Sequence, residues 1–312
     1  MAFVPAGVIP AVLLPFTDDL DIDAKSFRAH LRDVASTAGI TAVTVNAHST
    51  EVGSCSFDEQ RRVMEMTANE IGDQLPIVHG VWADGSLEAA RIARAAAAGG
   101  AAALLVFPPA PFTLGQNPNM AVAHFRCIAD ATDLPLILFQ YPLATGQGYP
   151  PETLVRLVEE IPQIRAIKDW CNDVQLHEWQ VRTLQSRPRP VNVLSTHSAW
   201  LFSSLVLGCN GVLSGAGSVI AALQVELFRA VADNDLGAAR AINDRIYPLA
   251  RAFYADPFVD MHNRMKEALV LLGRLPRAVV RPPLVRLGTA EIDRIRAALV
   301  AAGLLDERQH AA

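Results

Sequence analysis

Leu134-Pro135-Leu136-Ile137-Leu138-Phe139-Gln140-Tyr141, then Pro151 to Glu160, then Ile164-Arg165-Ala166-Ile167-Lys168-Asp169-Trp170: this run decides the fold. It reads as a strand, a helix opening on a proline tolerated in the first turn, and a second strand. Both strands are apolar along their length and do not alternate, the pattern of parallel strands covered on both faces. The second strand ends on a lysine, and the chain has only three: Lys25, Lys168 and Lys266, against 24 arginines. An arginine cannot lose its proton in a protein and so cannot be a nucleophile, whereas a desolvated lysine can.

The same alternation runs outward on both sides. Val8 to Leu14, Thr41 to Val45, Pro76 to Val81 and Ala102 to Phe107 read as earlier strands; Val191 to Leu194 and Gly211 to Ser214 read as later ones. Between them lie helical segments at Asp23 to Ala38, Ser56 to Ile71, Ser86 to Ala98, Asn119 to Thr132, Asp173 to Gln185 and Trp200 to Leu207. Ser56 and Glu59 have capping-box spacing, and Ser86 is placed as a helix cap. Eight such units within about 220 residues favour a closed (β/α)8 TIM barrel over an open doubly wound sheet. No GxGxxG or Walker A sequence follows the first strand to support the open alternative. The expected division is a barrel over 1–222 and a C-terminal helical domain over 223–312, with helices at Leu223 to Ala232, Leu236 to Phe253, Val259 to Leu272 and Ala290 to Ala302, and a frayed tail from Glu307 to Ala312.

Half the residues are hydrophobic (51%) and 19% are charged, which supports a large core and argues against disorder. A net charge of −5 with no basic run argues against a nucleic-acid partner. The apolar stretch from Ala89 to Phe107 is broken by Arg91, Arg94 and Gly99-Gly100 and is not a membrane span. Cys55, Cys127, Cys171 and Cys209 form no CxxC pair; they read as reduced thiols of a cytoplasmic protein, and the N-terminus lacks a signal-peptide pattern.

In a barrel of this kind the reactive groups sit at the C-terminal ends of the strands and in the loops that follow. That rule selects Lys168, His48-Ser49-Thr50-Glu51, Phe107 to Phe112, Phe139 to Thr145, Thr196-His197 and Ser214-Gly215-Ala216-Gly217. Desolvation at the inner end of a strand would lower the lysine pKa, leaving a neutral amine able to attack a ketone and form a Schiff base. The rival reading is a rim lysine paired with Asp169. His48 is a general acid–base candidate or a solvated loop histidine; His197 stays open; His124, within a helix, reads as structural. Glycines 211, 215 and 217 imply close backbone approach to a ligand or to the next helix. Trp82, Trp170 and Trp200 read as packing residues, Trp170 also as a pocket wall.

These motifs resemble the dihydrodipicolinate synthase / N-acetylneuraminate lyase superfamily of Schiff-base-forming class I aldolases. Gly7-Val8-Ile9-Pro10-Ala11, Gly99 through Pro109, Ile167-Lys168-Asp169, Gly208 through Ser214 and Arg281-Pro282-Pro283-Leu284 are similar to its segments, in order along the chain. The resemblance implies a barrel with a C-terminal helical domain, a homotetramer or dimer, no cofactor, and Lys168 condensing covalently with pyruvate or another 2-oxo acid. It also implies a carboxylate loop, here Ala47-His48-Ser49-Thr50-Glu51, where His48 replaces the first of the family's two hydroxyls. The proton-relay tyrosine position holds Phe139, and the position of the arginine that grips a second carboxylate holds Ala144. The second tyrosine has no match in Pro108 to Phe112.

The resulting expectation is a lyase of the aldolase or hydratase-aldolase type, not the lysine-biosynthetic synthase, acting on a 2-oxo acid with a less charged distal part. Lys168 is the nucleophile; His48, or secondly Tyr141, moves protons, since His48 can titrate near neutrality. Ser49 and Thr50 hold the carboxylate, and Phe139, Ala144, Ser214 and Gly215 complete the substrate site. The alternative is a catalytically altered homologue that binds a 2-oxo acid or serves as an oligomeric scaffold. A metal-dependent aldolase ranks third, because no His/Asp/Glu cluster with ligand spacing is visible at the strand ends.

Overall fold

The computed structural model describes residues 3–306; the tail from Glu307 to Ala312 lies outside them. Eight parallel strands form one sheet: β1 (Gly7–Pro10), β2 (Val43–Val45), β3 (Ile77–Val81), β4 (Ala103–Val106), β5 (Leu136–Gln140), β6 (Ile164–Asp169), β7 (Asn192–Ser195) and β8 (Gly211–Ser214). Neighbours run in the order β1-β8-β7-β6-β5-β4-β3-β2. Isolated parallel bridges, Val8 to Ile40 and Ala11 to Thr44, bring β1 back to β2. The fold is a (β/α)8 barrel, as the sequence implies.

Between the strands run α1 (Ala24–Ala35), α2 (Phe57–Ile71), α3 (Ser86–Ala98), α4 (Pro118–Ala129), α5 (Pro151–Glu160), α6 (Val174–Leu184) and α7 (Leu201–Val206). After β8 come α8 (Gly217–Ala232), α9 (Leu236–Phe253), α10 (Met261–Leu271) and α11 (Thr289–Ala301). No helix among the described residues is long and apolar enough to cross a membrane.

The apolar strands are explained by what covers each face. Ile9, Val78, Leu105, Ile137, Phe139, Ala166, Leu194 and Leu213 fill the barrel interior. The intervening Val8, Leu104, Val106, Leu136, Leu138 and Ile167 pack outward with Leu31, Phe125 and Leu157 of the helix layer. On β6 this two-residue period turns Lys168 to the same side as Ala166, and Asp169 to the helix side. A register shift at Leu136/Ile137 places Lys168 opposite Phe139.

The capping box forms as read: Glu59 N donates to Ser56 Oγ at 3.2 Å, and Ser56 N to Glu59 Oε2 at 2.8 Å. Other boundaries move. The first strand ends at Pro10, and residues 11–14 continue buried, with Ala11 making an isolated bridge to Thr44. Gly85, not Ser86, is the N-cap of α3; the Ser86 hydroxyl instead meets Nδ1 of buried His124 at 3.0 Å. The division at 222/223 falls inside α8, which runs through it after a kink at Ile220. One apolar cluster runs from barrel residues such as Leu13, Val193 and Val212 through α8 into α9, α10 and α11, and the Ser218 hydroxyl of α8 donates to Ala11 O at 2.9 Å.

Gly80 on β3 is dictated by a close crossing. A Cβ there would lie 1.9 Å from the Asn46 carbonyl oxygen, which belongs to the backbone entering the loop after β2. Gly80→Ala is expected to cost about 1–3 kcal/mol through the forced backbone shift. Equilibrium urea unfolding checks this, and an unchanged midpoint would refute it.

Candidate active site

A cavity of about 400 Å³ opens at the C-terminal mouth of the barrel, and Lys168 lies in its wall. Lys168 is 5% exposed, and its amine sits 4.2 Å from the centroid of the Phe139 ring. Burial, with no charged neighbour contributing, lowers its pKa from 10.5 to about 7. Among the described residues no carboxylate forms an ion pair with it. The rival reading, a pair with Asp169, is corrected by where Asp169 points.

Asp169 faces α6 and α7. Its carboxylate accepts from His177 Nδ1 at 2.6 Å, His197 Nε2 at 3.2 Å and the Cys171 amide at 2.9 Å. Burial alone would raise its pKa, but the hydrogen bonds from His177 and His197 outweigh it and hold Asp169 well below the carboxylate range. Burial likewise acts to lower His177, and Asp169 reverses it, lifting the imidazole to about 9. His177 Nε2 in turn meets Ser204 Oγ at 2.9 Å. This network anchors the outer face of β6 at the residue next to Lys168. Asp169, Cys171 and His197 bring three potential metal-ligand atoms within 4.8 Å of one another, correcting the expectation that the strand ends carry no such cluster. The residues come from the end of β6 and the loop after β7, so linear spacing concealed them. Their polar atoms are already hydrogen-bonded together, and none of the three lines the cavity. His197 stacks on Trp200, with centroids 3.9 Å apart.

His48 and Tyr141 do line the cavity, and the structure joins them: Tyr141 Oη lies 3.0 Å from His48 Nε2. Burial, aided by the Lys168 charge, lowers His48 to about 3, which corrects the reading that it titrates near neutrality. Burial pushes the Tyr141 phenol well above its ordinary value. At neutral pH a protonated phenol therefore faces a neutral imidazole, and the tautomer of His48 sets which of the two donates. Tyr141 sits beyond the end of β5, yet its ring packs edge-on against Phe139 at 4.6 Å and against Trp170 at 5.3 Å.

The loop after β2 forms a short 3₁₀ turn, His48–Thr50, ending at Glu51 in the left-handed region (φ 49°). Ser49 lines the cavity, is 1% exposed, and its hydroxyl has no protein partner. A buried unsatisfied hydroxyl is costly, so it marks a place for a polar ligand atom. Thr50 is different: its hydroxyl donates to Ala47 O at 2.9 Å and turns away from the cavity. Thr50, Ala144 and Ser214 all lie outside the cavity wall, so the structure corrects their placement in it. Gly215 is in the wall. Gly211 and Gly217 are explained by packing: a Cβ at either would fall within 3 Å of β1 backbone, at Gly7 O and Pro10 Cα respectively.

Several lining residues escaped the strand-end rule. Trp82, read as packing, forms part of the wall with Phe107. The C-terminal extension adds Phe258, Met261 and His262. Phe258 stacks face to face on Trp170 at 5.1 Å, closing one side. Glu51 and Lys266 form a buried ion pair that ties the loop after β2 to α10. Lys266 Nζ also donates to Val279 O at 2.8 Å, and the Arg281 amide to Glu51 Oε2 at 3.0 Å. That amide and the Arg281–Glu59 pair account for the arginine of the Arg281-Pro282-Pro283-Leu284 motif.

Comparison with known proteins matches residues 4–302 to a model of the dihydrodipicolinate synthetase family. A 4-hydroxy-tetrahydrodipicolinate synthase of Methanopyrus kandleri is 30% identical over 98% of this chain and 99% of its own length. YagE of Escherichia coli K12, provisionally named a 2-dehydro-3-deoxy-D-gluconate aldolase, is 26% identical over 89% of this chain and 90% of its own. The crystal structure of YagE in complex with pyruvate aligns with a TM-score of 0.88 at 24% identity, covering 96% of this chain and 99% of that one.

Proposed function

This chain belongs to the dihydrodipicolinate synthetase family, whose named relatives are synthases and an aldolase, and we propose that it is a Schiff-base lyase acting on a 2-oxo acid with an apolar distal part. The observation that carries the reading is Lys168: a buried amine with a pKa near 7, without an ion-pair partner, facing a cavity. About half of it is unprotonated at neutral pH. Its lone pair attacks C2 of the 2-oxo acid to give a carbinolamine. Loss of water leaves the protonated imine, which accepts the electron pair when a bond to C3 breaks. Run the other way, the enamine's C3 attacks an aldehyde carbon and the imine is hydrolysed.

Each of these steps moves a proton, and the family's tyrosine position holds Phe139. The Tyr141–His48 pair stands in reach of the same cavity. Tyr141 O–H can give its one proton to a developing alkoxide and regain a proton from the substrate in the reverse step, while between these steps the same O–H can rest as donor to His48 Nε2. The cavity wall contains no arginine among the described residues, and it includes the carboxylate of Asp84. A second substrate carboxylate would find no cation there except the reacting amine. Trp82, Phe107, Phe139 and Trp170 supply apolar surface in its place. The scaffold alternative gains nothing from this arrangement, since scaffolding requires no desolvated amine.

The direct test is to treat the protein with pyruvate and borohydride, weigh it intact and map the adduct. Modification at Lys168 is expected; no adduct across a panel of 2-oxo acids would refute the proposal. Once a substrate is in hand, Tyr141→Phe is expected to lower kcat by about 10²-fold or more. Imine trapping with pyruvate should persist, because the amine is untouched. His48→Ala should give a similar loss, and the double variant little more than either alone, as for groups acting as a unit. Losses that multiply would show that the two residues do not work as a pair.

A further inference from the structure

We infer that His262 of α10 is a substrate-binding residue, donating a hydrogen bond to the carboxylate of the 2-oxo acid bound at Lys168. The inference rests on the Schiff-base reading above and adds a residue from outside the barrel to it.

His262 lies in the cavity wall, 8% exposed, and neither ring nitrogen is hydrogen-bonded to another described residue. Its ring sits over the end of β8, where the chain has left room for it. A Cβ at Gly215 would fall 2.7 Å from His262 Nε2 and 3.1 Å from Cδ2. Gly215 takes no left-handed φ, so backbone strain does not explain the glycine, whereas clearance for this imidazole does.

The ring is also held in place. Lys266, four residues on, lies on the same helix face and is locked to Glu51 in the buried ion pair. Asn263 Nδ2 donates to Val285 O at 2.8 Å, and Arg264 Nη1 to Ala255 O at 2.6 Å. The first turn of α10 is thus fixed on three sides, and His262 is presented as a preorganised group.

Position in the barrel decides what it would touch. In strand order β8, β1 and β2 are consecutive around the ring, and their loops bring Gly215, Ala11, His48 and Ser49 to the cavity. Ser49 Oγ, the unpartnered buried hydroxyl, is on this arc with His262. Phe107, Phe139 and Trp170 line the arc formed by β4, β5 and β6. The 2-oxo acid carboxylate is one bond from the carbon that joins Lys168, so it must lie near the amine. The β8–β1–β2 arc offers it a hydroxyl and an imidazole N–H; the opposite arc offers mainly aromatic rings. Burial, with the nearby amines of Lys168 and Lys266, holds the imidazole neutral, with one N–H to donate. Thr50, whose hydroxyl is committed to Ala47 O, leaves the second donor position open.

The test compares borohydride trapping of pyruvate and methyl pyruvate, the second lacking the carboxylate charge. His262→Ala is expected to raise the pyruvate concentration for half-maximal trapping about tenfold or more, the scale of a hydrogen bond to a charged group. Methyl pyruvate trapping should stay within about twofold of the original protein, a separation that a structural role would not produce. His262→Gln, which keeps an N–H donor, should recover part of the loss. Gly215→Ala, which displaces the ring without removing it, should reproduce the selective loss and serves if His262→Ala does not fold. Equal loss for both probes, or no loss for pyruvate in folded variants, overturns the assignment of His262 alone. Failure of the original protein to trap any 2-oxo acid overturns the Schiff-base reading and this inference with it.

Discussion

A Lys168→Arg variant is expected to yield no borohydride-trapped adduct and to lose at least about 10³-fold in turnover, because guanidinium keeps its charge and offers no lone pair for imine formation. Lys168→Met should do the same and also expose what burying the amine costs. The folded-state pKa is lowered from 10.5 to about 7 by desolvation alone. Below pH 7 both folded and unfolded chains carry the proton, and the folded state bears the full penalty of a buried charge. Between pH 7 and 10.5 the unfolded chain binds more protons than the folded one, so the contribution to stability rises with pH across that window. The penalty below pH 7 is about 5 kcal/mol. Lys168→Met should therefore be more stable than the original protein at pH 6 by several kcal/mol, with the gap closing towards pH 10. Trapping by the original protein should rise through an apparent pKa near 7. Urea midpoints across pH and a trapping–pH profile measure both effects; a pH-independent stability difference would show that the amine is not desolvated.

Much of this was legible because strand periodicity and the rare lysines survive in one dimension. Lys168 follows an apolar run at the position where a barrel strand delivers a side chain inward, and the structure puts it beside Phe139. His48 and Tyr141 could each be placed in the mouth, but their hydrogen bond spans residues 93 apart and depends on the curvature of the ring. Thr50 was misplaced because residue type does not reveal that its hydroxyl turns back on Ala47. His262 lay beyond reach for another reason: the strand-end rule searches barrel loops, and this residue arrives on a helix of the C-terminal extension. A signal was available in Lys266, one of only three lysines, four residues along the same helix. The Asp169–His177–His197 cluster was hidden similarly, since its members join only when α6 folds across β6 and β7.

Breaking the Glu51–Lys266 pair from one side should be strongly destabilising. Lys266 is fully buried; burial pushes its pKa down and the Glu51 carboxylate pushes it back up. In the Lys266→Met variant Glu51 keeps the Arg281 amide but loses its only buried cation, and a loss of about 3–5 kcal/mol is expected. Glu51→Gln should cost less, since its amide oxygen can still accept from Lys266, although the ammonium then lacks a counter-charge. Combining Glu51→Gln with Lys266→Met should recover part of the loss of Lys266→Met, because a neutral amide is cheaper to leave buried than a carboxylate. The functional consequence follows from geometry. Glu51 closes the turn that carries His48 and Ser49, and Lys266 sits one turn along α10 from His262. A folded variant lacking the pair should thus still be modified by pyruvate and borohydride, at Lys168 and with its amine pKa near 7, but should need a higher pyruvate concentration. Urea unfolding together with the trapping titration separates the two effects. A Lys266→Met protein of unaltered stability and unaltered pyruvate requirement would show that the pair neither anchors α10 nor sets the loop.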